Sequence, residues 1–419
     1  VFAARFFLAG ALLLTPFGAT TVTRAATITV TTVADELNND GDCSLREAIQ
    51  AVNTRASVDA CPAGTGNDLI VLPAGAYVLG IAGQNEDLNA TGDLDVFPFT
   101  SLGGTVTIQG AGVGATIIDG NELDRVFHLI RSDSTLILRD LTVRNGKLTN
   151  AAGAGMLSLG ALELRMVVIE NNSIDGTSSS ATGGGFCIGC GAGTDSGLLE
   201  NVVMRNNSAA RGGAIFSNRP LTITATSIIS NTATAGGAIE NYGDLSLINS
   251  TVSGNVATSN VGGVRHNDKA LSLVNTTIAY NARGGVMVWE PTSSYTPTAV
   301  VKNSIIAFNA GGPWQNCIGS GLVTSGGNNL SDDTSCASWL TASGDLNAVD
   351  PLLSPLRDNG GPTPTHGLQI GSPAVNAGTN VGCPATDQRG FTRPQGPRCD
   401  IGAFEVNVLY APLTFRTAN

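Results

Sequence analysis

The chain has 419 residues with 53 glycines, 5% aromatic and 13% charged residues, and its only lysines are Lys147, Lys269 and Lys302. That profile favours strands and tight turns over helices, whose surfaces lean on Lys and Glu. A formal charge of -11 with a pI near 4.7 excludes a binder of phosphate backbones, so no nucleic-acid partner is expected, and an acidic partner would need a bridging cation.

In chain order, Arg5 precedes an apolar run from Phe6 to about Phe17 and then small residues, with Thr23-Arg24-Ala25 or Ala26 as a cleavage point. The run is too short to cross a bilayer comfortably, so 1–26 reads as a secretory signal, or else as a buried apolar strand, and the mature chain is expected to lack a transmembrane span. An even number of cysteines behind a signal favours disulfides. Sequence-local pairing joins Cys43 to Cys61, Cys187 to Cys190, Cys317 to Cys336 and Cys383 to Cys399. The Cys187–Cys190 spacing also fits a redox or metal half-site, although no second CxxC accompanies it.

Ser44 and Glu47 fit a capping box that opens a short helix with Leu45, Ala48, Ile49 and Val52 on one face. Residues 66–79 follow as an apolar strand and turn, and a Cys43–Cys61 bond would clamp the helix across this first rung. The acidic strings 38–42 and 91–95 leave calcium open, but neither completes an EF-hand loop, and no cofactor is assigned.

From residue 116 the sequence repeats. The segments 221–231, 245–255 and 271–281 share the frame L-x-[IL]-x-x-[ST]-[ST]-[IV]-x-x-N, and the frame extends to Asn309, Asn207, Asn172, Asn145 and Asn121, at spacings of 24 to 35 residues. Such a period, with alternating strands and no helical pattern, is one coil of a parallel β-helix. Inward residues such as Leu245, Leu247 and Val252 are buried only when coils stack. Asn207, Asn231, Asn255, Asn281 and Asn309 form one register and Asn201, Asn249, Asn275 and Asn303 another, interrupted by Ala225. Both read as stacked turn ladders that tolerate left-handed backbone angles.

Glycine pairs open the coils at 212–213, 236–237, 262–263 and 284–285. Aligning on these pairs puts Glu240 beside His266, with Phe216 and Val288 flanking, and puts Asn218, Tyr242, Asp268 and Glu290 in a second column near Lys269 and Trp289. The candidates for catalysis are Glu240, His266 and Asp268, and those for ligand contact are Phe216, Tyr242, Lys269, Trp289 and Glu290. The same pattern suits a plain solvated face, and Arg265 fits poorly because its column mates Ile215, Ile239 and Met287 look inward.

The string DGDCSLREAI at 40–49 resembles the CSLREA motif of secreted bacterial β-helix proteins. Residues 350–378 and 383–405 resemble the region called choice-of-anchor Q. The resemblance implies an all-β, right-handed, pectin-lyase-like parallel β-helix, with a capping helix and a disulfide-closed C-terminal cap, secreted or at the cell surface. It divides the chain into a signal (1–26), N-terminal cap and first rungs (27–115), repeats (116–312), a C-terminal region (313–405) and a tail (406–419) that reads as a sorting tag or a last strand. In that C-terminal region Asp387 is expected to pair with an arginine. The NTD, GHG and RIK strings of the related hydrolases are absent. The expected function is therefore adhesion or binding of extracellular polysaccharide by a monomer, with a polysaccharide lyase or hydrolase, or a passive stalk, as alternatives.

Overall fold

The computed structural model describes residues 25–84, 86–98, 103–191, 196–289, 296–312 and 315–407. All but the last two residues of the signal expected at 1–26, and most of the tail, lie outside these residues. The chain winds into a right-handed parallel β-solenoid built from sheets of 19, nine and five strands, in which nearly every strand pairs with its counterparts in the preceding and following coils. The nine-stranded sheet stacks Leu94–Val96, Phe127–Leu129, Met156–Ser158, Phe186–Ile188, Ile215–Ser217, Ile239–Asn241, Val264–His266, Val286–Val288 and Cys317–Ile318. Leu245, Leu247 and Val252 point into one continuous apolar core with Phe127, Phe186 and Ile239.

The asparagines divide into two classes. Asn172, Asn207, Asn231, Asn255, Asn281, Asn309 and Asn316 form an internal ladder, each Nδ2 donating to the next Oδ1 at 2.8–3.0 Å. The ladder closes on Ser331 and Asp332. None of these seven is left-handed, because that conformation falls on the residue just before each of the first six: Asn171, Asn206, Ser230, Gly254, Tyr280 and Phe308. The second register is the left-handed one, with Asn201, Asn249, Asn275 and Asn303 at φ of 47–56° and Ala225 at 50°. Asn121 and Asn145, to which the repeat frame extends, are also left-handed.

The paired [ST][ST] of the repeat has the same logic. Thr226, Ser250, Thr276 and Ser304 turn inward, where Val202 N donates to Thr226 Oγ1 and Thr226 N to Ser250 Oγ, both at 3.2 Å. Ser227, Thr251 and Thr277 turn outward.

At the N-terminal end the helix Leu45–Thr54 covers the open core. Its capping box is closed in both directions, Glu47 N to Ser44 Oγ at 3.1 Å and Ser44 N to Glu47 Oε2 at 2.9 Å. Leu45, Ala48, Ile49 and Val52 join the main core. Arg46, unremarked in sequence, is fully buried; it pairs with Asp35 at 2.7 Å and donates to the carbonyls of Gly92 and Asp93. Cys43 is bonded to Cys61. Replacing Cys43 with Ser should cost about 3 kcal/mol, the loop-closure term for a ring of this size. Hydrogen exchange in 27–80 is expected to rise while 208–309 stays unchanged; equal exchange in both regions would refute the clamp.

The C-terminal end is closed by residues 332–347. Cys336, Trp339 and Leu340 enter the main core, and Cys336 is bonded to Cys317. Residues 350–405 then run back along the side of the solenoid as an arm. The segment closed by Cys383–Cys399, with Asp387 paired to Arg389 at 2.7 Å, therefore lies beside the coils, while the end cover is the one pinned at Cys317–Cys336. Gln388 Nε2 donates to Ser227 Oγ at 2.8 Å, Gln388 Oε1 accepts from Thr251 Oγ1 at 2.6 Å, and Ala403 N donates to Thr277 Oγ1 at 3.0 Å. The outward serines and threonines of the repeat are thus the docking line of the arm.

Candidate functional site

Side chains alternate along a strand, so the central residue of each three-residue strand in the nine-stranded sheet faces outward when its neighbours face the core. Strand register assembles one outward line: Asp95, His128, Leu157, Cys187, Phe216, Glu240, Arg265, Met287 and Ile318. At strand spacing it is about 38 Å long.

This register corrects the glycine-pair alignment. Ile239 pairs with Val264, Glu240 with Arg265 and Asn241 with His266, so the two strands are offset by 25 residues while the glycine pairs are offset by 26. Glu240 and His266 are on opposite faces. His266 is fully buried on the inner side, its Nδ1 3.1 Å from Asn241 Nδ2 and its Nε2 3.3 Å from the Lys269 carbonyl. Burial holds its pKa below the ordinary histidine value. Arg265 is not an inward exception; it stands outward between Glu240 and Met287.

Around Glu240 the line forms a closed cluster. Glu240 Oε1 accepts from Arg211 Nη2 at 2.6 Å, Arg265 Nη1 at 2.7 Å and Tyr242 Oη at 3.1 Å, and the residue is fully buried. The Arg211 guanidinium lies 4.9 Å from the Phe216 ring centroid and 5.5 Å from that of Tyr242, and the two rings are 5.8 Å apart. Burial, then the Glu240 charge, raises the Tyr242 hydroxyl above its usual pKa, so it stays a neutral donor. Phe216 is covered by this stack and offers no face to a ligand. Two guanidiniums converge on Glu240 Oε1, and the positions above and below it on the line are Phe216 and Arg265. The second carboxylate that glycoside hydrolysis uses is not supplied by the neighbouring rungs of this line.

Tyr242, Asn267 and Trp289 directly follow successive strands, so Trp289 takes the place beside Tyr242 and Asn267 that the glycine alignment gave to Glu290. Trp289 is 39% exposed and, with Asn260, Arg265 and Met287, walls a hollow of about 120 Å³. Asp268 accepts from Lys269 N in the turn beyond His266, and Lys269 is exposed at φ 60°. Glu290 lies outside the described residues.

The other end of the line is acidic. Asp95 Oδ2 accepts from Asn89 N at 3.0 Å, and Asp93 pairs with Arg125 at 2.8 Å. Burial pushes both Asp93 and Asp95 up to about 7 and holds His128 below its ordinary value. His128 was missed in sequence, although Leu94-Asp95-Val96 and Phe127-His128-Leu129 share a polar residue between two apolar ones, the mark of an outward strand position. The acidic string 38–42 also gathers, with Glu36, Asp40 and Asp42 close together. Asp59 there accepts from the amides of Asp40, Gly41 and Asp42. The bond Cys187–Cys190 closes the CxxC spacing, and no cysteine of the chain is free.

The fold and this face define the class as a parallel β-solenoid with a long outward line of mixed chemistry. No family model matches the chain, and no curated protein matches it. Among solved structures it is similar to a chain described as the crystal structure of pectate lyase Pel9A, with TM-score 0.44 and 13% identity over 92% of this chain and 98% of that one. A likeness this slight has no bearing on chemistry. No described helix is long and apolar enough to cross a membrane.

Proposed function

We propose that the protein binds an extracellular polysaccharide along the outer face of the nine-stranded sheet and does not cleave it. The observation that carries this reading is the hollow walled by Trp289, Arg265, Asn260 and Met287. A half-open indole beside a guanidinium and an amide offers what a pyranose ring takes: an apolar plane for its C–H face and polar groups for its hydroxyls. Tyr242, neutral and part-exposed two rungs away, extends the same surface. The Arg-bound state of Glu240 supports binding over turnover.

A glycan array on the protein, paired with a product assay on the same sugars, tests this. Saturable binding without new reducing ends or unsaturated products is expected, and Trp289→Ala should weaken it at least about tenfold, the loss of one stacking anchor. Binding indifferent to Trp289→Ala would move the site elsewhere. Turnover of an acidic glycan would establish the lyase or hydrolase alternative, and a blank in both assays the passive stalk.

A further inference from the structure

The acidic end of the outward line gathers Asp87, Asp95 and His128, apart from the surface of the glycan reading. His128 Nδ1 lies 3.4 Å from Asp95 Oδ1 and 3.4 Å from Asp87 Oδ1. Neither ring nitrogen of His128 and not Asp95 Oδ1 has a hydrogen-bond partner among the described residues, although Asp95 is fully buried and His128 is only 8% exposed. Leaving such groups unpaired in the interior is costly, and each instance in a folded protein calls for an explanation. The chain has three histidines, and the other two are satisfied at both nitrogens: His266 as described, and His366 by Ser253 Oγ and the Ser354 carbonyl, both at 2.8 Å.

We propose that His128, Asp95 and Asp87 bind one divalent transition-metal ion of the zinc class, through a ring nitrogen of the histidine and one oxygen from each carboxylate. Ligands on a tetrahedral ion at about 2.1 Å stand about 3.4 Å from one another, the separation observed on both edges from His128. All three ligand atoms lie within 4.8 Å of one another. Imidazole selects zinc-like ions over calcium and magnesium, which take oxygen ligands only. Asp93, just before this strand, is held by Arg125, and the second oxygen of Asp95 is fixed by the Asn89 amide, so Asp95 is oriented before any ion arrives. Asp87, with its side chain 68% exposed, opens the site to solvent, leaving the fourth position for water.

The full chain, stripped with a chelator, is titrated by calorimetry with Zn²⁺ and separately with Co²⁺, whose visible absorption reports tetrahedral geometry. One ion per chain and a tetrahedral Co²⁺ spectrum are expected. His128→Gln and Asp95→Asn should each weaken Zn²⁺ at least about a hundredfold, since even outer-shell changes reach that range. Glu36→Gln, in the other acidic cluster, should leave it unchanged. Asp87→Asn, at an exposed position, gives the same test without risk to the core, and metal-free unfolding curves check that His128→Gln folds like the parent. No saturable Zn²⁺ binding, Zn²⁺ binding that survives both His128→Gln and Asp87→Asn, or binding of Ca²⁺ in preference to Zn²⁺ would overturn the site.

Discussion

Asn255→Ala is expected to destabilise the solenoid by about 4 kcal/mol, more than any exposed substitution in the repeats, because it orphans several buried groups at once. Asn255 Oδ1 accepts from both the backbone N (2.9 Å) and the Nδ2 (3.0 Å) of Asn231, and its own Nδ2 donates to the Ile228 carbonyl at 2.9 Å and to Asn281 Oδ1 at 2.8 Å. Asn231, Asn255 and Asn281 are all fully buried, so water cannot replace these bonds. Each coil contacts chiefly its neighbours, so the damage should be local, opening 228–281 before the ends. The comparison is Asn201→Ala in the other register. Ala225 already holds the equivalent left-handed corner at φ 50°, so this change should cost only about 1–2 kcal/mol. Denaturant unfolding of the two variants measures the difference, and equal losses would mean that the ladder is not what ties the coils together.

Arg393→Ala is expected to free the C-terminal arm while the solenoid stays folded. Arg393 has a fully buried side chain; it pairs with Glu405 Oε2 at 3.0 Å and donates to the carbonyls of Asp400 (3.0 Å) and Gly402 (2.8 Å). Its removal leaves the Glu405 carboxylate buried without a cation, which costs about 3–5 kcal/mol. Under the arm lie the hydroxyls of Ser227 and Thr251 and a small apolar patch that includes Ile229, Ala279 and Ile305, separate from the main core inside the coils, so the exposed solenoid should remain intact. Limited proteolysis should cut 350–405 in the variant and not in the parent, with 208–309 equally protected in both. Arg393→Lys keeps the charge but cannot make all three contacts from one planar fork, so its protection should be intermediate. Collapse of the whole solenoid in Arg393→Ala would show instead that the arm is part of the core fold.

Much of this organisation was legible in the chain itself. The repeat frame placed the strands, because period-two alternation and coil length are local properties of sequence. The Ser44–Glu47 box placed the capping helix for the same reason, since all its partners lie within one turn. The buried asparagines announced themselves by recurrence, but their division of labour did not: only the backbone shows that one register bonds and the other turns.

The candidate face was read less well, and the cause is specific. Coils differ in length at their corners, so glycine pairs do not keep strict step with strands. A slip of one residue at 262–263 moved His266 from the core to the surface and Arg265 from the surface to the core. Glu240 was correctly placed outward, but its neutralisation depends on Arg211, which comes from a different sheet.

By itself the sequence determined the solenoid, its coil boundaries and the cover at its N-terminal end, because these follow from repeated short-range patterns. Only the tertiary structure decided which residues share the outer line, that Asp95 and His128 meet across 33 residues of chain, and that one side of the repeats lies under an arm. Those outcomes depend on register between coils, where one residue more or less in a turn exchanges the two faces of a strand.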